Sequence, residues 1–487
     1  MRIDIQKNSI KDTLQALQRQ EFSCADLVSA CFDRIRTHDG DVHAFLSLNE
    51  EAALAQAEEV DRKIKNKEPL GALEGMPVAV KDIIATRGLR TTAASKILEH
   101  FVPAHDATVV TRLKEAGAII VGKVNCDEFA HGASTENSAF GPSHNPWDFS
   151  RSPGGSSGGS SAAVAAGFCL AALGTDTGGS TRQPAGWCNL YGLRPTYGRI
   201  SRHGIISMTS STDTPGIFAK TAEDMALLLS LLAGHDLSHD ATSLPQAADD
   251  YGSKLEQSIK GLKIGLPKEF FVGSKDASEE VVSQAIGQFE KLGAEIKHVS
   301  LPHTKYAVPV YYIITPSEIS SNLGRFDGIR YGARSEKANT LMEVYTKTRG
   351  ENFGPEAKRR IMLGTYALSS GYYDAYYKKA QKVRTIIADE VHKVLNEVDI
   401  LLTPVSPHPA IKLGEKADDP LGMYLEDIFM ATAALAGIPA LSVPAGFVGG
   451  LPVGVQLMGK QLDEARLLSV AHQYEKATDW TTKHAKL

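Results

Sequence analysis

The sequence predicts an α/β fold, a central mixed β-sheet covered by helices on both faces. Three observations predict it. Residues 106–116 repeat apolar side chains at helical spacing (Val109, Val110, Leu113, Ala116), and a short apolar strand, 118–121, follows directly after Gly117. The same rhythm returns as strand 262–266, helix 278–292 and strand 295–299, one βαβ unit. A composition of 43% hydrophobic and 22% charged residues over 487 positions is that of a globular enzyme with room for a large sheet.

Taken in order, residues 10–19 form a short amphipathic helix. Ser23 caps a second helix, 25–37, and residues 50–67 form a third that is polar on most faces. Residues 1–70 therefore read as a helical layer on the outside of the core, and 71–487 as the α/β domain proper. Val78 to Val80 is a buried strand that delivers Lys81 at its end. Residues 125–141 and 142–153 are loops. Residues 162–173 are small, apolar and uncharged, and read as a buried helix with a Ser-rich loop at each end. From Thr181 to Gly216 the chain is rich in Gly, Pro and Ser and reads as irregular. Residues 221–234 are helical, and the polar stretch 235–261 connects two halves. After the βαβ unit come a long helix at 376–398 with apolar residues three and four apart, strands at 400–404, 441–444 and 452–458, and a closing helix at 463–477.

Several function classes are disfavoured. A net charge of −5 and a pI near 6.3 argue against nonspecific nucleic-acid binding by this chain alone, while leaving room for a nucleic acid held by a partner protein. Five cysteines in no CxxC pair suit a reducing, cytoplasmic setting and free buried thiols. The N-terminal residues lack an apolar signal core, and no apolar run is long enough to span a bilayer. No metal-ligand spacing is visible, so no metal and no cofactor is expected in this chain.

The chemistry concentrates in residues 154–180, GGSSGGSSAAVAAGFCLAALGTDTGGS. Glycine clusters let backbone amides approach a bound group closely, at an entropic cost to folding. The spacing matches neither a P-loop, which needs Gly-Lys-Ser/Thr, nor a dinucleotide-binding GxGxxG. Two serine nucleophiles remain. Ser156 lies in a formal GxSxG elbow, although no strand leads into it. Ser180 follows the amides of Thr177, Gly178 and Gly179, a nest suited to an oxyanion hole. A serine needs a base, and no histidine has a diagnostic position. Lys81 qualifies if burial keeps it neutral near pH 7, with Ser156 relaying the proton from Ser180.

GGSSGGSSAAVAAG followed by GTDTGGSTRQPA resembles the signature of the amidase signature family, and the resemblance runs from about residue 74 to 480. It implies a Ser–cis-Ser–Lys triad made of Ser180, Ser156 and Lys81, with Ser156 in a cis peptide and Ser180 forming the acyl-enzyme. Residues 320–332, 358–365, 370–379, 418–429 and 451–456 bring the chain nearest to the glutaminase components of the tRNA-dependent amidotransferases. That implies hydrolysis of glutamine to supply ammonia. A partner, the B component, would use the ammonia, with ATP and Mg, on mischarged Glu-tRNA(Gln) or Asp-tRNA(Asn). A small C component would complete a heterotrimer. The alternative is a stand-alone amidase of small amides. A glutamine pocket needs a cation for the α-carboxylate and a carboxylate for the α-ammonium. The resemblance gives these to Arg360 and Asp427, with Tyr311 as a further contact and Arg359 as the competitor one residue away.

Residues 211–216 (STDTPG), 186–189 (GWCN) and His131, where Met is frequent, depart from the expected pattern. His131 reads as an inert, hydrogen-bonded loop histidine. The sharper expectation places it near the pocket, with a titration near pH 6.5.

Overall fold

The computed structural model describes residues 3–271 and 277–487. Its centre is one mixed sheet of eleven strands: β1 (Phe45–Leu48), β2 (Pro77–Lys81), β3 (Ile119–Val124), β4 (Ala171–Asp176), β5 (Tyr191–Arg194), β6 (Thr214–Ala219), β7 (Lys263–Pro267), β8 (Glu295–Val299), β9 (Ile400–Pro404), β10 (Ala440–Val448) and β11 (Leu451–Met458). Their order across the sheet is β1-β3-β2-β4-β6-β5-β10-β11-β9-β7-β8. The chain therefore builds one half of the sheet from strands before residue 220 and the other from strands after 262. The stretch at 235–261 connects the two, and the antiparallel pairing of β5 with β10 joins them into one sheet.

At the centre of the first half, β2 lies parallel to both β3 and β4, with Val80 opposite Leu173. Strands pair with it on both edges, and all five of its residues are buried. That is why PVAVK carries no polar alternation before its terminal lysine. The outer helices begin where the caps expected. Ser23 Oγ accepts from the Asp26 amide at 3.0 Å, and the Asp26 carboxylate accepts from the Ser23 amide at 3.1 Å, a reciprocal capping box that starts the Cys24–Val42 helix. All five cysteines are free and buried.

Four sequence expectations need correction. Residues 162–173 are not one helix: a Gly158–Ala165 helix ends at Gly167, whose φ of +70° breaks it, and the remainder enters β4. Residues 181–216 are not irregular throughout, since they contain the Arg182–Trp187 helix, β5 and the start of β6. The N-terminal 70 residues are not purely helical, because Phe45–Leu48 supplies the edge strand β1, paired antiparallel with β3. The long helix is shorter than 376–398. It runs Lys379–Leu395 and is preceded by a wider π turn at Asp374–Lys378.

Three further helices follow, Ala307–Asn322, Leu341–Asn352 and Pro355–Leu368, and of these the first and last form a wall at the end of β4. The first and last pack tightly because of Gly364. A Cβ there would lie 1.8 Å from the Pro316 carbonyl oxygen. Glu356, Arg360 and Gly364 recur every four residues and so share the face turned toward the Ala307–Asn322 helix.

Candidate active site

Lys81 ends β2 beneath the Gly-rich loop and is completely buried. Its Nζ lies 2.7 Å from Ser156 Oγ, 2.9 Å from Ser157 Oγ and 2.9 Å from Thr175 Oγ1. Ser157 Oγ donates to the Thr175 carbonyl at 3.1 Å, so it meets Lys81 as an acceptor. Burial pulls the Lys81 pKa down to about 8, and the nearby Cys126, Asp127, Asp176 and Asp213 oppose that fall. The amine therefore becomes mostly neutral above about pH 8, somewhat higher than the pH 7 expected from sequence.

The Gly155–Ser156 peptide bond is cis. Its surroundings leave no room at Gly155, where a Cβ would come within 2.4 Å of both Asp127 Oδ2 and the Ser134 amide nitrogen. The Gly155 amide donates to Gln183 Oε1 at 3.0 Å, and the Ser156 carbonyl accepts from the Asp127 amide at 3.2 Å. The Ser157 amide donates to the Ser180 carbonyl at 3.2 Å, which ties the two serine segments together. Lys81, Ser156 and Ser180 therefore converge from three separate stretches of sequence. The Ser180 hydroxyl itself has no hydrogen-bond partner among the described residues.

Asp176 organises the turn that carries Ser180. Its carboxylate accepts from the Gly179 amide (3.0 Å), the Thr181 amide (3.3 Å), Arg182 Nε (3.0 Å) and Arg194 Nη1 (3.2 Å). Burial pushes this carboxyl up, but Arg182 and Arg194 outweigh it and hold its pKa well below the usual range. The arrangement corrects one expectation. The Gly179 amide is engaged by Asp176, whereas the amides of Thr177, Gly178 and Ser180 have no acceptor among the described residues. The Thr177 hydroxyl is anchored on Asp213 Oδ1 at 2.7 Å. Asp213 belongs to the divergent stretch 211–216, and its other oxygen accepts from the amides of Met208 and Thr209 at 2.9 Å each. The 186–189 departure is structural, with Trp187 packed on Ala410 and Ile411.

Beyond this turn lies a charged and aromatic wall. A Cβ on Gly178 would meet the Tyr311 ring and hydroxyl at 2.5 Å, and one on Gly179 would meet Met430 Cβ at 2.5 Å. Asp427 sits one turn before Met430, and its carboxylate accepts from the neighbouring tyrosine, Tyr312, at 2.6 Å. Burial pushes Asp427 up to about 7, while Tyr312 and Arg360 pull it back. Arg360 lies over the rings of Tyr312 and Tyr424, 5.4 and 5.5 Å from their centroids, and its Nε donates to Glu356 at 2.7 Å. Burial works against its charge, but Tyr312, Glu356 and Tyr424 outweigh it and raise its pKa. Arg360 is 3% exposed and faces this wall, whereas Arg359 is 42% exposed and pairs with the other oxygen of Glu356. The structure thus separates the two arginines.

Sequence reasoning missed Ser157, Thr175, Asp213, Tyr312, Glu356 and Tyr424. Ser157 had a signal, as the second serine of the same doublet. The others meet the site only through sheet register and helix packing. His131 departs from both expectations. Its side chain is fully buried with neither ring nitrogen hydrogen-bonded, and burial together with the Arg360 charge pulls its pKa well below 6.5. It therefore stays neutral where a titration was expected. Among the described residues one trio has metal-ligand types close together, His203, Asp236 and His239, with ligand atoms within 4.8 Å of one another. The Asp236 carboxylate there is already held by Ser201, Thr108 and His239.

A family model described as Amidase matches residues 26–468. The A component of the glutamyl-tRNA(Gln) amidotransferase of Carboxydothermus hydrogenoformans is 54% identical over 480 residues, covering 98% of this chain and 99% of that protein. Its counterpart in Heliobacterium modesticaldum is 53% identical over 468 residues, 96% of each chain. The crystal structure of the same amidotransferase component from Thermotoga maritima superposes with a TM-score of 0.81 at 41% identity, over 97% of this chain and 95% of that one. A bacterial aryl acylamidase of the amidase signature family shares the fold, with a TM-score of 0.85 at 24% identity, over 98% of this chain and 97% of that one. Both the sequence matches and the superpositions span nearly the whole length, and on them the chain belongs to the amidase signature family.

Proposed function

We propose that this chain is the glutaminase component of a tRNA-dependent amidotransferase, hydrolysing glutamine to supply ammonia to a partner. One observation carries the reading. A buried cation, Arg360, and a buried carboxylate, Asp427, share Tyr312 on a wall packed against Gly178 and Gly179. Opposite charges fixed beside a serine nucleophile match the α-carboxylate and α-ammonium of an amino acid whose side-chain amide reaches that serine. An apolar amide would offer nothing to the terminal nitrogens of Arg360 or to the second oxygen of Asp427.

In this reading Ser180 Oγ attacks the carboxamide carbon and passes its proton to Ser156 Oγ, which passes its own to neutral Lys81 Nζ. The oxyanion is held by the free amides of the Thr177–Ser180 turn. Return of the proton through Ser156 to the amide nitrogen breaks the C–N bond and releases ammonia, leaving a γ-glutamyl ester on Ser180. Water then attacks that ester by the same relay, and glutamate departs.

The relatives are components of multi-chain enzymes, which supports B and C partners for this chain. The ATP, the Mg and the mischarged tRNA are then bound mainly by the B component, in the cytoplasm. The test is co-expression with candidate B and C chains, followed by ATP-dependent amidation of Glu-tRNA(Gln) and Asp-tRNA(Asn). Glutamine-dependent product on either tRNA is expected. High turnover of hydrophobic amides by the chain alone, with no amidation in the complex, would overturn the proposal.

A further inference from the structure

Three histidines that the reaction does not use gather beside one carboxylate. The rings of His105, His203 and His239 stack in a row, with centroids 5.5 and 4.5 Å apart and planes tilted by 20°. His203 lies between β5 and β6, and His239 lies in the stretch that connects the two halves of the sheet. Asp236 belongs to that same stretch. His203, Asp236 and His239 each bring one ligand-type atom, all within 4.8 Å of one another. Sequence spacing gives no sign of this trio, because its members come from two separate segments.

The carboxylate is held in place from behind. Asp236 is 8% exposed, and its Oδ2 accepts from the hydroxyls of Ser201 and Thr108 at 2.6 Å each. Among the described residues, Oδ1 accepts from His239 Nδ1 alone, at 2.9 Å. The Thr108 proton is spent on Asp236, so toward His203 Nδ1 its oxygen is an acceptor, over a long contact of 3.4 Å. Hydroxyls that hold one carboxylate oxygen while the other faces an imidazole fix its orientation, as the groups behind a metal ligand do.

The imidazoles are reachable. His239 is 54% exposed, and both it and His203 line a cavity of about 180 Å³. Asp213 and Asp240 line the same cavity, and its arginine, Arg202, is engaged by the Ser210 carbonyl, Thr242 Oγ1 and Asp240. Tetrahedral bonds of about 2.0–2.1 Å put ligand atoms about 3.4 Å apart. The spread of 4.8 Å must therefore close by roughly 1.4 Å, a small turn for a partly exposed ring. Two imidazoles and one carboxylate favour zinc over magnesium or calcium, which take oxygen ligands.

We propose that His203, His239 and Asp236 bind a zinc ion, with water or His105 in the fourth position. The ion takes the place of the Nδ1 proton between His239 and Asp236, and that proton moves to His239 Nε2. It ties the connecting stretch to the segment between β5 and β6. The site lies apart from the serine relay and does not depend on the glutaminase reading.

The test uses the full chain, stripped of metal with a chelator and titrated with zinc sulfate by calorimetry. Cobalt(II) is the spectroscopic probe, since its visible absorption reports nitrogen ligation and geometry. Wild type is expected to bind one zinc per chain at micromolar concentration, with a Tm that rises as zinc is added, and to ignore magnesium. His203→Ala and His239→Ala, at partly exposed and exposed positions, are each expected to weaken zinc by about a hundredfold or more and to lose the cobalt band, while melting like the metal-free wild type. Thr108→Val removes a hydroxyl behind Asp236 but no ligand, and is expected to weaken zinc by about tenfold. Zinc that binds either histidine variant as well as wild type lies elsewhere and would overturn the inference, as would binding only at millimolar concentration. An affinity unchanged in Thr108→Val would mean that two surface imidazoles catch the ion without the carboxylate, and would overturn the three-residue site.

Discussion

Lys81 can serve as a base only because of what surrounds it. Burial removes water from its ammonium, and no carboxylate of the described residues lies within salt-bridge distance. Its pKa therefore falls to about 8 despite the more distant acids Asp127, Asp176 and Asp213. A second buried lysine, Lys123 on the neighbouring strand, also lies near 8, but it meets Asp82 at 3.6 Å and donates to Thr91 Oγ1 and the Ile84 carbonyl. Of the two, only Lys81 faces the serines. The sign of the pH dependence follows. The base must be unprotonated, so kcat for glutamine should rise with pH through about 8 and level off above it. Asp427, pushed up to about 7, must be ionised to hold an ammonium, so KM should fall as pH rises through about 7. A pH series of full progress curves checks both, and a kcat flat from about pH 6 to 9 would contradict the role given to Lys81. His131 contributes no step near 6.5, because it is neutral throughout that range.

At the scale of elements, two packed segments hold the site. One is the strand–turn of β4, which ends in Asp176 and presents the amides before Ser180. The other is the pair of helices Ala307–Asn322 and Pro355–Leu368, which bring Tyr311, Tyr312 and Arg360 to that turn. Gly364 sets the distance between the helices. Gly364→Ala places a methyl 1.8 Å from the Pro316 carbonyl oxygen, so the helices must part. The expected outcome is a KM for glutamine raised by about tenfold or more, with smaller change in the turnover of a simple amide that does not use Arg360. The two segments were unequally legible in sequence. Lys81, Ser156 and Ser180 sit in short motifs that mark them as candidates, although the residues alone left both serines open as the nucleophile. The strand β4 was hidden, because residues 162–173 are apolar on every face and periodicity cannot tell a buried helix from a buried strand there. Tyr312 and Tyr424 were invisible for another reason. Their rings stack with centroids 4.0 Å apart although the residues are distant in sequence, which no local pattern encodes.

At the scale of the molecule, the sheet joins two halves, and the turn that bears Ser180 is tied across the join. Asp176 ends β4 and Arg194 ends β5 in the first half, while Arg182 reaches Gln456 on β11 and the Met430 carbonyl in the second. The node is wholly buried, so removing its one anion leaves two guanidinium groups uncompensated. Asp176→Asn should lower stability by about 3–5 kcal/mol, read by urea unfolding, and should disorder the turn that bears Ser180. The described residues contain no helix long and apolar enough to cross a membrane. At all three scales the chemistry depends on one assignment, Ser180 as nucleophile with Ser156 and Lys81 behind it. The direct measurement is mass-spectrometric mapping of the adduct formed by an electrophilic glutamine analogue. A single label on Ser180, lost in Ser180→Ala, is the predicted result. A label on Ser156, or one that survives Ser180→Ala, would contradict it.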